Sequence, residues 1–250
     1  MNNASGLQAF SDDELVADYI PGKNRSVFLT CEHASNHLPS WIDSVSNVEK
    51  AIVADHWGWD IGALGLSRVI AAQNDYPLVA SGLSRLICDL NRPIDAPDLF
   101  RNECDGVVLS FNQGLSEQAV KTRHSIHSVF HQFTTETMRN HEPHSLVSVH
   151  SFTPVWRGVA RDVEVGILFN AYESSAERLM NRLIERGVTA RLNEPYSGFA
   201  DGVYSIERQG RLLSRPYLEI EVRQDLIDSE SGQQRWGSLL SEVLASDIFS

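Results

Sequence analysis

Three short stretches of this chain set titratable side chains at the ends of apolar runs. VFLT is followed at once by Cys31-Glu32-His33-Ala34-Ser35-Asn36, and SLVSV ends in His150-Ser151. YLEIEV carries Glu219 and Glu221 two residues apart, which puts them on one face of an extended chain, with Arg223 just beyond. Two imidazoles and one or more carboxylates suit a zinc site that keeps one position open for water. A further carboxylate can then serve as general base on that water. Glu221 is the most demanding of these residues, because a carboxylate inside an apolar strand is costly unless it is partnered. Either an ion pair with Arg215 or Arg223, or a metal or a reaction, has to account for it.

Other polar clusters carry competing readings. Asp55 and Asp60 flank the aromatic stretch in DHWGWDIG, and Asp60 precedes a helical pattern, so a helix N-cap competes with a functional role. His124, His127 and His131 are another candidate metal cluster, since His127 and His131 share a helical face, but the pattern is amphipathic without HExxH and favours a solvated face over metal. SRLICDLNRP brackets Asn91 with Arg85 and Arg92. Two guanidinium forks and an amide fit a substrate carboxylate, although either Arg could instead tie down Asp89 or Asp95. EPYSGFADGVYS contains Gly198, Gly202, Tyr196 and Tyr204, where glycine permits either a close ligand approach or simple turns. GxGxxG, GxxxxGK[ST] and GxSxG are all absent from the sequence, which gives nucleotide binding and a serine nucleophile little support.

These residues need rigid elements to aim them. Apolar or β-branched runs at 26–30, 77–80, 85–89, 146–150, 163–169 and 217–222 predict strands, several buried on both faces. Helical spacing predicts helices over about 60–73 and 116–140. Ala176, Leu179, Met180, Leu183 and Ile184 mark another, with Ser174 and Glu177 as a capping box and Gly187 as its stop. Leu239, Leu240, Val243 and Leu244 mark a C-terminal helix. Alternation of β and α elements predicts a layered α/β fold with a largely parallel or mixed sheet. In such sheets ligands sit beyond the carboxyl ends of the strands, which is where the polar residues fall.

Composition narrows the function classes. The chain has 250 residues, a net charge of −12 and 42% hydrophobic residues, an ordinary globular make-up. The acidic balance argues against a general nucleic-acid or anionic-membrane binder, but a local arginine cluster can still hold a small anion. Three cysteines, Cys31, Cys88 and Cys104, form no CxxC and predict a reducing compartment. No basic start, apolar leader or membrane-length run is visible, so the expectation is a cytoplasmic protein of one domain over 1–250, with about 1–22 loosely attached.

The blocks CEHASNHLP, DHWGWDIGA, SRLICDLNRP, VSVHSFTP, EPYSG and EIEVRQDLI, in this order, resemble the N-formylglutamate amidohydrolase family over about residues 26–226. That family is distantly similar to zinc carboxypeptidases and aspartoacylases. Their pattern is a His-x-x-Glu zinc pair, an Asn-Arg carboxylate clamp, a second zinc His followed by Ser, and a catalytic Glu on a late strand. The resemblance implies a three-layer α/β/α fold with a central mixed, mostly parallel sheet of zinc-carboxypeptidase type. It implies zinc held by His33 and His150, and Glu221 as the catalytic residue. Asn91 and Arg92, with Arg85, would grip a small anionic amino-acid-derived substrate, and Asn36, Ser151 and Tyr204 complete the expected substrate contacts. Asn36 stands where the peptidases have their ligating Glu. For the third ligand the resemblance implies Asp60, since an acidic residue in a D-x-x-x-x-D stretch is usual in the amidohydrolase family, with Glu32 second and Asp55 a further alternative. The implied reaction is hydrolysis of an N-acyl amino acid, N-formyl-L-glutamate first. The alternatives are another N-acyl amino acid or small peptide as substrate, or a non-catalytic ligand-binding protein that keeps the fold.

Overall fold

The structure, a computed structural model, describes residues 8–11, 14–200 and 202–249. Its strands are β1 (Gln8–Ser11), β2 (Glu14–Ile20), β3 (Val27–Cys31), β4 (Leu78–Ser81), β5 (Glu103–Cys104), β6 (Val107–Val108), β7 (Ser145–Phe152), β8 (Val155–Trp156), β9 (Val159–Ala160), β10 (Val165–Leu168), β11 (Ala190–Leu192) and β12 (Tyr217–Arg223). Its helices are α1 (Asn47–Ala54), α2 (Ala63–Asn74), α3 (Glu117–His141), α4 (Glu173–Ile184), α5 (Tyr204–Leu213) and α6 (Glu230–Leu244). Eight strands form one mixed sheet in the order β1-β2-β4-β3-β7-β12-β10-β11. The central run β4-β3-β7-β12 is parallel, while β10 runs antiparallel to β12. Two small hairpins, β5–β6 and β8–β9, stand apart from it.

The period-two alternation of the strands sorts the core into two layers. Leu29, Val147, Val149, Leu218 and Ile220 pack on one face with Leu66 and Ile70 of α2, Leu179 of α4 and Leu240 of α6. Phe28, Leu146 and Tyr217 pack on the other with Ile126 and Phe130 of α3 and Ile206 of α5. Helices therefore cover both faces, which makes a three-layer α/β/α fold. By the same alternation Glu32, Ser148, His150, Glu219 and Glu221 project to the α3/α5 side. The parallel register sets Glu219 beside Ser148 and Glu221 beside His150.

Several sequence expectations are corrected. Residues 85–89 are a string of turns, not a strand. Ser84 Oγ donates to Gly58 O at 2.8 Å and Ile87 N to Ser84 O at 3.0 Å, which closes the chain locally. Leu86, Ile87 and Cys88 are buried all the same, and a short apolar run signals burial before it signals strand. Of the segment expected to be loose, 1–22, residues 1–7, 12 and 13 lie outside the described residues, and the rest contains β1 and β2. β2 pairs with β4 along Ala17–Ile20, and Val16 and Ala17 are fully buried against the α3 layer. α4 starts at Glu173 behind Tyr172, which adopts a left-handed φ of 59°, and has no Ser174–Glu177 capping box. Tyr172 packs edge-on to Tyr217 with ring centroids 5.3 Å apart.

His127 and His131 are buried rather than solvated. α3 itself follows the sequence pattern, with Ser116 capping Ala119 N. Cys31, Cys88 and Cys104 are free and buried. Among the described residues no helix is long and apolar enough to cross a membrane.

Candidate metal centre

The centre is assembled from four chain segments beyond the carboxyl ends of the parallel strands. β3 runs directly into Glu32 and His33, β7 carries His150, and β12 carries Glu219 and Glu221. Asp60 comes from the turn before α2. Gly62, the N-cap residue of α2 with φ of 82°, makes that turn, and a Cβ there would collide with Ile227 O. Ala63 N bonds Asp60 O, so the backbone of Asp60 serves the helix entry while its side chain is left for the centre.

His150 Nδ1 lies 2.8 Å from Asp60 Oδ2, and His33 Nδ1 lies 3.4 Å from the same oxygen. One ligand atom from each of His33, Asp60 and His150 falls within 4.8 Å of the others. The far nitrogens are also matched. His33 Nε2 sits 2.7 Å from Asp89 Oδ1, and His150 Nε2 sits 3.2 Å from Glu32 Oε2. Each imidazole thus turns Nδ1 toward Asp60 and Nε2 toward a second carboxylate, the arrangement by which outer carboxylates orient metal-binding histidines. Asp89 is held in turn by Arg85, whose Nη2 donates to it at 2.7 Å, and Glu32 accepts Ser148 Oγ–H at 2.6 Å.

Charge is unbalanced here. Glu32, Asp60, Asp89, Glu219 and Glu221 face two histidines and Arg85, all of the acids buried. Burial would raise the pKa of Asp60 and Asp89, but charge and hydrogen bonds from His33, with His150 for Asp60 and Arg85 for Asp89, hold both well below the carboxylate range. Burial likewise opposes Glu32, yet bonds from His150 and Ser148 hold it at about 2. Burial would lower His150, and the charge of Glu219 with bonds to Asp60 and Glu32 raises it instead. Burial dominates at Glu219 and Glu221 and pushes both upward. Buried His33 Nδ1, Glu32 Oε1 and Glu221 Oε2 have no hydrogen-bond partner among the described residues. Converging N and O donors, an orphaned Nδ1 and an excess of buried carboxylate fit a divalent cation at His33, Asp60 and His150.

A cavity of about 420 Å³ opens over these residues. Of the expected site residues, His33, Asp60, Arg85, Asn91, Arg92, His150, Ser151 and Glu221 line it. Asn36 and Tyr204 do not; Tyr204 packs instead on the rings of His127 and His131. Three of the lining residues expected to contact substrate are already engaged. Asn91 Nδ2 donates to Glu219 Oε2 at 3.2 Å and Gly202 O at 3.1 Å, while its oxygen accepts Ser205 N–H. Arg85 spends its fork on Asp89 and Asp60, so the tie to Asp89 foreseen for one of these arginines is the one that forms. Ser151 holds the centre through its N–H to Asp60 and its hydroxyl to Ile61 O. Asp55 lies outside the cluster, beside His56. Neither Arg215 nor Arg223 pairs with Glu221; Arg223 turns to Asp225 and backbone carbonyls.

Sequence reasoning passed over Asp89 as an orienting group, and Arg101, Trp57 and Trp156 as cavity walls, while Tyr196 comes from the loop in which a close ligand approach was one of two readings. The Trp pair in DHWGWD was visible. Trp156 sits on the two-residue strand β8, too short to leave a pattern. Tyr196 reaches the cavity because its segment crosses close over β10, where a Cβ at Gly166 would strike Glu194 O.

Fold and site together define a three-layer α/β protein whose buried His-Asp-His cluster, compatible with a metal ion, lies past parallel strand ends. The chain belongs to the N-formylglutamate amidohydrolase family, whose model matches residues 25–228. This is a family of hydrolases acting on amides. Among solved structures, the gene product Atu2144 from Agrobacterium tumefaciens is similar, with TM-score 0.85 and 27% identity over 92% of this chain and 93% of that one. A metallo-carboxypeptidase from Burkholderia cenocepacia matches at TM-score 0.47 and 10% identity, over 98% of this chain and 64% of that one. An aspartoacylase family protein from Mesorhizobium loti matches at TM-score 0.37 and 12% identity, over 93% and 63%. No curated protein gives a match.

Proposed function

We propose that the protein hydrolyses the amide of a small anionic N-acyl amino acid, N-formyl-L-glutamate first, using a zinc ion held by His33, Asp60 and His150. The observation that carries the reading is the paired orientation of the two histidines, Nδ1 inward to Asp60 and Nε2 outward to Asp89 or Glu32. When bound, the ion supplies Lewis-acid polarisation of the acyl carbonyl and makes water more acidic.

The chain's own residues do the rest. Glu221 offers a buried oxygen with no partner, Oε2, on the cavity wall. It takes a proton from water as the water oxygen bonds to the acyl carbon. It then returns that proton to the amine nitrogen as the C–N bond breaks, giving formate and glutamate. Glu219 is the weaker candidate for this role, because Asn91 already holds it. Among the described residues the Arg92 side chain is held only by a 3.6 Å contact to Asp98, and it grips the substrate α-carboxylate. Arg85, Asn91 and Ser151 act one step back, by fixing Asp89, Glu219 and Asp60.

The test is metal content of protein purified without chelator, together with formate release from N-formyl-L-glutamate. His33→Ala and His150→Ala are each expected to lose the metal and the activity. Stoichiometric metal in both variants would overturn the ligand assignment.

A further inference from the structure

The cavity holds more cationic groups than one carboxylate requires. Arg85, Arg92 and Arg101 line it. Arg85 is committed to Asp89 and Asp60. Arg92 and Arg101 instead share a single acid. Asp98 Oδ2 lies 3.6 Å from Arg92 Nη2 and 3.5 Å from Arg101 Nη2. These are long contacts, since a charge-assisted N–H···O bond usually spans about 2.7–2.9 Å. Among the described residues, one carboxylate between these two guanidiniums leaves a net positive charge and two forks with open donors.

Arg101 is also held in place. Its guanidinium carbon lies 5.4 Å from the ring centre of Trp57, and the Trp57 Nε1–H is fixed on Asp105 Oδ2 at 2.8 Å. The Arg101 carbonyl accepts Asn112 Nδ2–H at 2.8 Å, which pins the backbone. A planar fork stacked on an immobilised indole is set up for two-point recognition of a carboxylate. The Asp98 side chain is 39% exposed and has water to turn into.

We propose that Arg101 is a specificity-determining residue that binds the side-chain carboxylate of an acidic N-acyl amino acid while Arg92 binds the α-carboxylate, with Asp98 holding both guanidiniums until the substrate displaces it. The inference rests on the hydrolase reading and names the residue by which that site would tell a second carboxylate from an uncharged side chain.

The experiment compares N-formyl-L-glutamate with N-formyl-L-glutamine, which matches it in shape and lacks the second charge, on the metal-loaded protein. Arg101→Gln is expected to lower kcat/KM for the glutamate substrate about 10–100-fold, chiefly through KM. The glutamine substrate should change by no more than about twofold, so the preference collapses. A structural role would depress both substrates alike, and an unchanged preference ratio in Arg101→Gln overturns the proposal.

Calorimetric titration with glutarate gives a readout independent of turnover. Arg101→Gln should weaken glutarate at least about tenfold, and Asp98→Asn should tighten it. Equal affinity in wild type and Arg101→Gln, or weaker binding in Asp98→Asn, counts against the assignment. Absence of formate release from both substrates in metal-loaded wild type would sink the hydrolase reading, while the glutarate titration still decides Arg101.

Discussion

Replacing Glu221 by Gln separates chemistry from architecture, because Gln keeps the shape and removes the titrating oxygen. In the folded protein Glu221 is 6% exposed, and one oxygen has no hydrogen-bond partner. Burial pushes its carboxyl up to about 8 from an ordinary 4.5. The sign follows from linkage. Between about pH 4.5 and 8 the unfolded chain has released this proton and the folded chain still holds it, so metal-free protein loses stability as pH rises through that window. At about 1.4 kcal/mol per unit, the loss is bounded at about 5 kcal/mol. Glu221→Gln removes this slope. At pH 8 the metal-free variant should therefore melt at least a few degrees above wild type, since about 1 kcal/mol corresponds to about 2–4 °C at this chain length. Catalysis should move the other way. General-base catalysis contributes about 10²–10⁴-fold, so metal-loaded Glu221→Gln should release formate at least about 100-fold more slowly with its metal retained. Melting curves from pH 5 to 9 on metal-free protein and single-substrate kinetics on loaded protein measure both arms. A variant with wild-type kcat and a depressed melting temperature refutes the reasoning and moves the base to Glu219.

Two further perturbations address the groups around the centre and the scaffold. Asp89→Asn keeps a hydrogen-bond acceptor for His33 but removes the charge that the 2.7 Å contact supplies, and metal affinity measured against a competing chelator should fall about 10–100-fold. Unchanged affinity would show that Asp89 does not orient His33. Glu49 accepts from Ser110 N and Oγ, each at 2.6 Å, and from Ser46 N at 2.8 Å, and against the upward push of burial these bonds hold its carboxyl at about 2. A depressed acid stabilises the fold above its unfolded pKa and loses that contribution as pH falls from about 4.5 to about 2. Glu49→Gln should therefore cost about 1–3 kcal/mol at pH 7, with the difference from wild type fading across that acid window. A pH-independent difference in denaturant titrations would exclude this origin.

Much of this molecule is written in local pattern. The apolar runs ending in His33 and His150, and the two acids on β12, were legible because period-two alternation fixes which side chains share a face before any partner strand is known. α3 was legible because a long helix carries its own cap at Ser116 and repeats its apolar stripe. The ordered blocks from CEHASNHLP to EIEVRQDLI carried the family. What the sequence could not set is everything that depends on where separate segments meet. LICDL is apolar enough for a strand, yet Ser84 and Gly58 close it into turns that aim Asp89 at His33. Asp60 could have capped α2, but the turn at Gly62 lets the backbone satisfy the helix and sends the carboxylate to two imidazoles. Asn91 and Arg85 have the chemistry of a clamp, but Gly202, Ser205 and Glu219, distant in sequence, claim Asn91, while nearby Asp89 and distant Asp60 claim Arg85, leaving Arg92 and Arg101 as the open forks. Secondary structure follows from short-range sterics and periodicity, which one chain segment contains. The state of a polar group follows from competition among partners brought together by long-range closure, and only the folded chain decides which partner wins.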